Sequence, residues 1–255
     1  MNILLTNDDG ILAEGLWSLY HQLSEKHSVT VAAPDRERSA VGHGITLRRV
    51  VNAVKVDLGG GRRGYATNGT PADCVKMGVG QLTAVKPDIV ISGINPGSNT
   101  GINVNYSGTV AAAREGALMG LSSIAVSIQS TEPEYYTDAA LFVERLIHLT
   151  LQKQIPAGTF LNVNIPNIPL NQIKGVRAAI QSQTNPYNPL LKAVGADVNR
   201  NSLLQKKPMV DSALGGRDDE SILNENCISI TPIKCDATDH DIFQDIKGWE
   251  IECAV

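Results

Sequence analysis

The hydrophobic positions of this chain fall into short runs separated by amphipathic stretches. Ile3-Leu4-Leu5, Val29 to Ala33, Ile89-Val90-Ile91-Ser92 and Ile124 to Ile128 have the length and β-branched content of strands buried in a parallel sheet. Ile11, Leu12, Leu16 and Leu19 follow the first run at helical spacing. A second helix is predicted from Thr70 to about Leu82, with Thr70 as N-cap, Pro71 at the first helical position and Asp73 in the capping-box place. Ser107-Gly108-Thr109 opens a helix of small residues, and Leu141, Phe142, Arg145, Leu146 and Leu149 set another over Asp138 to Thr150. Phe160 to Ile165 alternates as a strand should, and Cys227 to Ile233 is a later strand. Val41 to Val54, apolar and β-branched around Gly42-His43-Gly44, reads as extended structure feeding a turn at Gly59-Gly60-Gly61.

Strand and helix alternate, which predicts an α/β fold with a doubly wound, mostly parallel sheet. The expected organisation is a single α/β domain over residues 1–255. Within it, residues 182–220 have no sustained period and form an excursion of hairpins and loops suited to oligomer contacts. Residues 236–255 form a mixed tail, and no internal repeat is evident.

Three of the predicted strands end in polar loops. The first ends in Thr6-Asn7-Asp8-Asp9-Gly10, the second runs on to Ser39, and the third leads into Asn95. Ligands of open α/β sheets bind at the carboxyl ends of strands. Adjacent carboxylates repel, and a cation relieves the repulsion. The plainer reading of Asn7-Asp8-Asp9-Gly10 is a solvated turn, of Ser39 a loop cap and of Asn95 a turn residue. Together, Asp8, Asp9, Ser39 and Asn95 offer only oxygen donors, a set that favours Mg²⁺, Mn²⁺ or Ca²⁺. The Ser107-Gly108-Thr109 helix start adds free N–H groups and two hydroxyls, an anion site beside a cation site.

Composition narrows the function classes. Apolar content is 42% and charged content 19%, ordinary for a globular domain, and the net charge of −4 comes without a basic tract, so no nucleic-acid partner is expected. No apolar run reaches membrane-spanning length. The four cysteines, Cys74, Cys227, Cys235 and Cys253, match no zinc spacing and read as reduced thiols of a cytoplasmic protein, with no leader ahead of the first strand.

Five segments carry a family resemblance. They are Thr6-Asn7-Asp8-Asp9-Gly10, Ala33 to Ser39, Asn68 to Val75, Ser92-Gly93-Ile94-Asn95, and Tyr106 to Ala112. In order and spacing the chain resembles the SurE family, stationary-phase survival proteins that act as 5′-nucleotidases. The likeness is continuous over about residues 1–130, with an echo at Ile228 to Pro232. It implies a Rossmann-like fold and hydrolysis of nucleoside 5′-monophosphates, with 3′-monophosphates and short polyphosphate as further substrates. It also implies one divalent ion per subunit, Mn²⁺ or Mg²⁺, and a homodimer or homotetramer. By matching position, Asp8, Asp9, Ser39 and Asn95 would hold the metal, with Asp8 and Asp9 also catalytic. Asn99, Ser107, Gly108 and Thr109 would bracket the phosphate. The chain departs from the family pattern at Asn103, acidic in many relatives, and at Asn185 to Pro189, which bears on base recognition and subunit contacts.

Other readings stand beside this one. His43 is a candidate for proton transfer, against a structural or solvent-facing role. Arg114-Glu115 reads as a helix-surface pair. A phospho-signalling receiver domain also places an acidic pair after its first strand, and Asp57 imitates a phosphoacceptor. A nucleotide-binding module without turnover is a further alternative.

Overall fold

The computed structural model describes residues 1–183 and 217–249. A nine-stranded sheet forms its centre. The strands are β1 (Asn2–Thr6), β2 (Ser28–Pro34), β3 (Ala53–Asp57), β4 (Arg63–Thr67), β5 (Ile89–Pro96), β6 (Ser122–Ile128), β7 (Thr159–Ile165), β8 (Val176–Ala178) and β9 (Ile228–Lys234), in spatial order β3-β4-β2-β1-β5-β6-β7-β9-β8. The run β4-β2-β1-β5-β6-β7 is parallel throughout, while β3 and β9 are antiparallel to their neighbours β4 and β7. The helices are α1 (Glu14–Ser24), α2 (Pro71–Met77), α3 (Gly108–Leu118), α4 (Tyr136–Lys153), α5 (Asp219–Asn224) and α6 (His240–Ile246).

The pleat of the central strands divides the core in two. Ile3 and Leu5 of β1 face the same cluster as Leu16, Trp17 and Leu19 of α1 and Ala140, Val143 and Ile147 of α4. Leu4, between them, faces the opposite cluster with Val75 of α2 and Ala112 of α3. A strand covered on both faces must be apolar at every position, which is why Ile3-Leu4-Leu5 does not alternate. The small residues of α3 serve the close approach the sequence suggests. A side-chain carbon on Gly116 would lie 2.4 Å from Ser123 Oγ and 2.9 Å from Val90 Cγ2.

Most of the sequence-based elements are present, with three differences. Residues 41–52 hold no strand. The β-branched run finds no neighbouring strand there, Leu47 and Val50 are exposed, and pairing starts at Ala53, where the Gly59-Gly60-Gly61 turn sets the register against β4. β4 itself, polar and only five residues long, escapes the apolar pattern, as do β8, α5 and α6. The helix expected to reach Leu82 ends its regular turns at Met77 and continues as a wider turn over Gly78–Leu82. Its capping box is as expected: Asp73 N–H donates to Thr70 Oγ1 at 3.1 Å and Thr70 N–H to Asp73 Oδ2 at 2.9 Å. Of the expected excursion at 182–220, residues 184–216 lie outside the described residues. Among the described residues, no helix is long and apolar enough to cross a membrane.

Candidate active site

The strand order places the C-terminal ends of β2, β1 and β5 side by side, and each delivers part of one site. The turn after β1 is braced by its own asparagine: Asn7 Nδ2 donates to the Gly10 carbonyl at 3.0 Å, and Gly10 N–H donates to Asn7 Oδ1 at 3.2 Å. Asp8 and Asp9 are thus held at fixed positions beyond the strand. The loop after β2 is tied to the same turn, since Arg38 N–H donates to the Asp8 carbonyl at 2.7 Å. That tie sets Ser39, the next residue, beside Asp8. After β5, Asn95 uses its amide nitrogen on the carbonyls of Pro96 and Gly97, at 3.2 and 2.6 Å, leaving Oδ1 as the atom available to a cation.

A cavity of about 280 Å³ opens here, lined by Asp8, Ser39, Asn95, Asn99 and Ser107 among others. Three of the four expected metal ligands therefore share one wall. Asp9 stands beside it, half-buried, with Oδ2 shielded from solvent and without a hydrogen-bond partner. Burial, then the charges of Asp8 and Glu37, push its carboxyl up to about 7. A pair of crowded carboxylates with an orphaned oxygen, next to a hydroxyl and an amide carbonyl, is a donor set that fits a hard divalent cation. Glu37 went unnoticed in the sequence. It accepts the Ser39 hydroxyl at 2.6 Å, so both Ser39 lone pairs face outward from that bond. Its only signal is its place two residues before Ser39.

The start of α3 also engages Asp8. Asp8 is buried, and its Oδ1 accepts a hydrogen bond from the Thr109 hydroxyl. The backbone N–H groups of Gly108 and Thr109 also act on this carboxylate. Burial raises the Asp8 carboxyl above its ordinary value, and these donors oppose the rise. A side-chain carbon at Gly108 would come within 2.8 Å of Asp8 Cβ and 2.9 Å of Oδ2, so only glycine lets the helix end approach so closely. The N-terminal end of α3 thus holds Asp8. Of its first residues, Ser107 is the one that lines the cavity; it also caps the helix by accepting from Val110 N–H at 3.1 Å.

Asn99 reaches the cavity from a polar girdle. Its Nδ2 donates to Ser127 Oγ at 2.8 Å, its N–H donates to Asn164 Oδ1 at 2.8 Å, and Asn162 Nδ2 donates to its carbonyl at 2.8 Å. Asn103 and Tyr106 also line the wall, from the loop that leads into Ser107. Their nearness in sequence to Ser107 was the available sign.

His43 is brought to a different place. It is not on the cavity wall; its Nε2 lies 2.8 Å from Glu115 Oε2 on α3. Glu115 is buried and also within 3.4 Å of Lys76 Nζ, so Arg114-Glu115 is no surface pair: Glu115 ties α3 to α2 and to the loop before β3, while Arg114 lies over the Phe160 ring at 5.8 Å. A residue whose contacts lie on two elements distant in sequence gives no period that sequence alone could read. Asp57 is on β3, separated from β1 by β4 and β2, exposed, and paired with Arg63 Nε at 2.8 Å. Nothing joins it to the acidic pair, which removes the receiver reading.

Comparison with known proteins identifies the family. The family model described as "Survival protein SurE" matches residues 3–188. A protein of Desulfatibacillum aliphaticivorans named 5′-nucleotidase SurE is 45% identical over 262 residues, covering 99% of each chain. One of Thermosipho africanus with the same name is 40% identical, covering 97% of this chain and 96% of its own. The crystal structure of the SurE protein from Aquifex aeolicus superposes with a TM-score of 0.84 at 32% identity, over 97% of this chain and 98% of that one.

Proposed function

Since the chain belongs to the SurE family, we propose that it hydrolyses nucleoside 5′-monophosphates to nucleoside and phosphate, with one divalent ion per subunit. The observation that carries this reading is the shared wall of Asp8, Ser39, Asn95 and Ser107, with the unpartnered Asp9 Oδ2 beside it. Asp8, Asp9, Ser39 and Asn95 would hold Mn²⁺ or Mg²⁺. When bound, the ion supplies positive charge for a phosphate oxygen and acidity for a water molecule. The chain's own groups do the rest. Thr109 and the α3 N-terminus fix the Asp8 carboxylate in one orientation. Ser107 Oγ, which accepts from Val110, keeps its own proton to donate to a phosphate oxygen. Asn99 Nδ2 has a second N–H beyond the one given to Ser127, and donates it to the same group. The Asp9 carboxylate, with one oxygen on the ion, would use the other to take up the proton of the attacking water.

The reading extends to 3′-monophosphates and short polyphosphate, which present the same terminal phosphate, and to a cytoplasmic homodimer or homotetramer. Phosphate release from a panel of 5′- and 3′-nucleotides and short polyphosphate, with Mn²⁺, Mg²⁺ or EDTA, tests it. Release that needs added metal and is highest for 5′-monophosphates is the expected result. Full activity in chelator would sink the metal assignment. Nucleotide binding without release under any metal would favour the non-catalytic module instead.

A further inference from the structure

A second cluster of ligating side chains lies away from the cavity, where the end of α1 meets α4. Glu144 and His148 are four residues apart on α4, so one helix face presents both. His27, in the junction between α1 and β2, meets them from the opposite side. One ligand atom from each of His27, Glu144 and His148 can be chosen so that all lie within 4.8 Å of one another, the one such cluster of His, Cys, Asp and Glu among the described residues.

Three features distinguish this cluster from a chance meeting of polar groups. Both ring nitrogens of His27 are shielded from solvent and neither has a hydrogen-bond partner. A neutral imidazole always carries one N–H and one lone pair, so leaving both unused is unfavourable. The two imidazoles meet edge to face, centroids 5.6 Å apart, a contact that leaves the His27 nitrogens unsatisfied. Burial, then the N-terminal charge and His148, hold the His27 pKa below its ordinary value, the direction that favours a ligating imidazole. Finally, the carboxylate is already oriented: Gln22 Nε2 donates to Glu144 Oε2 at 3.1 Å and Lys26 Nζ to Oε1 at 2.6 Å. Gln22 is the kind of outer partner that metal-ligating carboxylates have, while Lys26 holds the place a cation would take. Lys26 is 60% exposed and able to swing away when a cation arrives.

We propose that His27, Glu144 and His148 form a zinc site distinct from the nucleotide cavity, clasping the α1–β2 junction to α4. Two imidazoles and one carboxylate suit Zn²⁺, which takes nitrogen ligands at about 2.0–2.1 Å and leaves a fourth position to water. The all-oxygen set around Asp8 suits Mg²⁺ or Mn²⁺, so ligand chemistry sorts two different ions to two places on one chain. Closing the ligand atoms from within 4.8 Å to bonding range takes rotation of the exposed His148 side chain and displacement of Lys26.

The test is calorimetric titration of Zn²⁺ into the full chain under saturating Mg²⁺, which occupies the oxygen site. The wild type should take up one equivalent with a rise in melting temperature. His148→Ala and His27→Gln should each weaken that equivalent at least about tenfold, the loss that even outer partners of a metal produce. Lys26→Met should tighten it, because a competing cation is gone. Phosphatase activity in Mg²⁺ alone should be unchanged in His148→Ala, which keeps the exposed helix position folded. No Zn²⁺ equivalent in the wild type would overturn the proposal. So would equal affinity in wild type, His148→Ala and His27→Gln, or weaker binding in Lys26→Met.

Discussion

The Thr109 hydroxyl donates to Asp8 Oδ1, joining residues 101 apart in sequence at the start of α3 and the end of β1. Both side chains are buried. A neutral hydroxyl donating to a buried carboxylate is worth more than an ordinary hydrogen bond, and it fixes which oxygen of Asp8 faces the cavity.

Thr109→Val should therefore lower phosphate release by about ten- to a hundredfold, since the side chain it orients would be misplaced. It should also destabilise the fold by about 1–3 kcal/mol through the unpaired Asp8 oxygen. Thr109→Ser, which keeps the hydroxyl, should recover most of the activity. Nucleotidase assays alongside denaturant titration separate the two effects, and full activity in Thr109→Val would show the hydrogen bond to be structural only.

Asp8→Asn keeps the size of the side chain and removes one charge. Activity should fall by at least about a hundredfold, the scale of losing an electrostatic stabiliser. Melting in EDTA should occur at an equal or higher temperature, because the repulsion with Asp9 is relieved. The extra stability gained on adding Mn²⁺ should shrink, as that gain reports affinity. A variant that melts early yet turns over normally would make Asp8 a turn residue.

Asp219 is fully buried at the start of α5 and accepts from Gly101 N–H at 3.0 Å and Ser182 N–H at 3.0 Å. Burial outweighs these bonds and pushes its carboxyl from 3.8 up to about 6. A carboxyl raised in the folded state adds no penalty below its unfolded pKa and an increasing one as pH climbs through the folded value. From pH 4 to pH 7 this group alone should remove on the order of 2–3 kcal/mol of stability, at 1.36 kcal/mol per pKa unit over the rise from 3.8 to about 6. Asp219→Asn has no such titration. Subtracting its stability from that of the wild type at each pH isolates the term, and a difference independent of pH would refute it.

Burial pushes the Cys74 thiol up to about 12 despite the nearby Thr67 hydroxyl. Cys74 should stay unmodified by iodoacetamide at pH 8 in the native protein and react only on unfolding. Mass spectrometry of digests checks this; rapid native labelling of Cys74 would contradict its burial on the inner side of α2.

The sheet and most helices were legible in the sequence because their apolar positions repeat without interruption. Ile3-Leu4-Leu5 and Ile89-Val90-Ile91 are buried on both faces and leave no other reading, and the Thr70–Asp73 capping box has a local signature. The proposed metal donors could be picked out for the same reason: they follow the ends of those strands. What escaped depends on contacts distant in sequence. No period in Gly108-Thr109 tells that they embrace Asp8. Glu115 looks like a surface charge until α2 and His43 are folded against it. Polar β4 takes its strand form from its neighbours β2 and β3, not from its own residues.

The position of β1 has a consequence for synthesis on the ribosome. Its two neighbours, β2 and β5, are both made after it, and the register with β5 runs Ile3 to Ile89 through Thr6 to Ser92. One edge of this apolar strand therefore stays open until β5, more than eighty residues further along, has been translated. Such an unpaired edge invites association between nascent chains. The strand that leads into the acidic pair is made before both of its neighbours, and its far edge is covered only when β5 arrives.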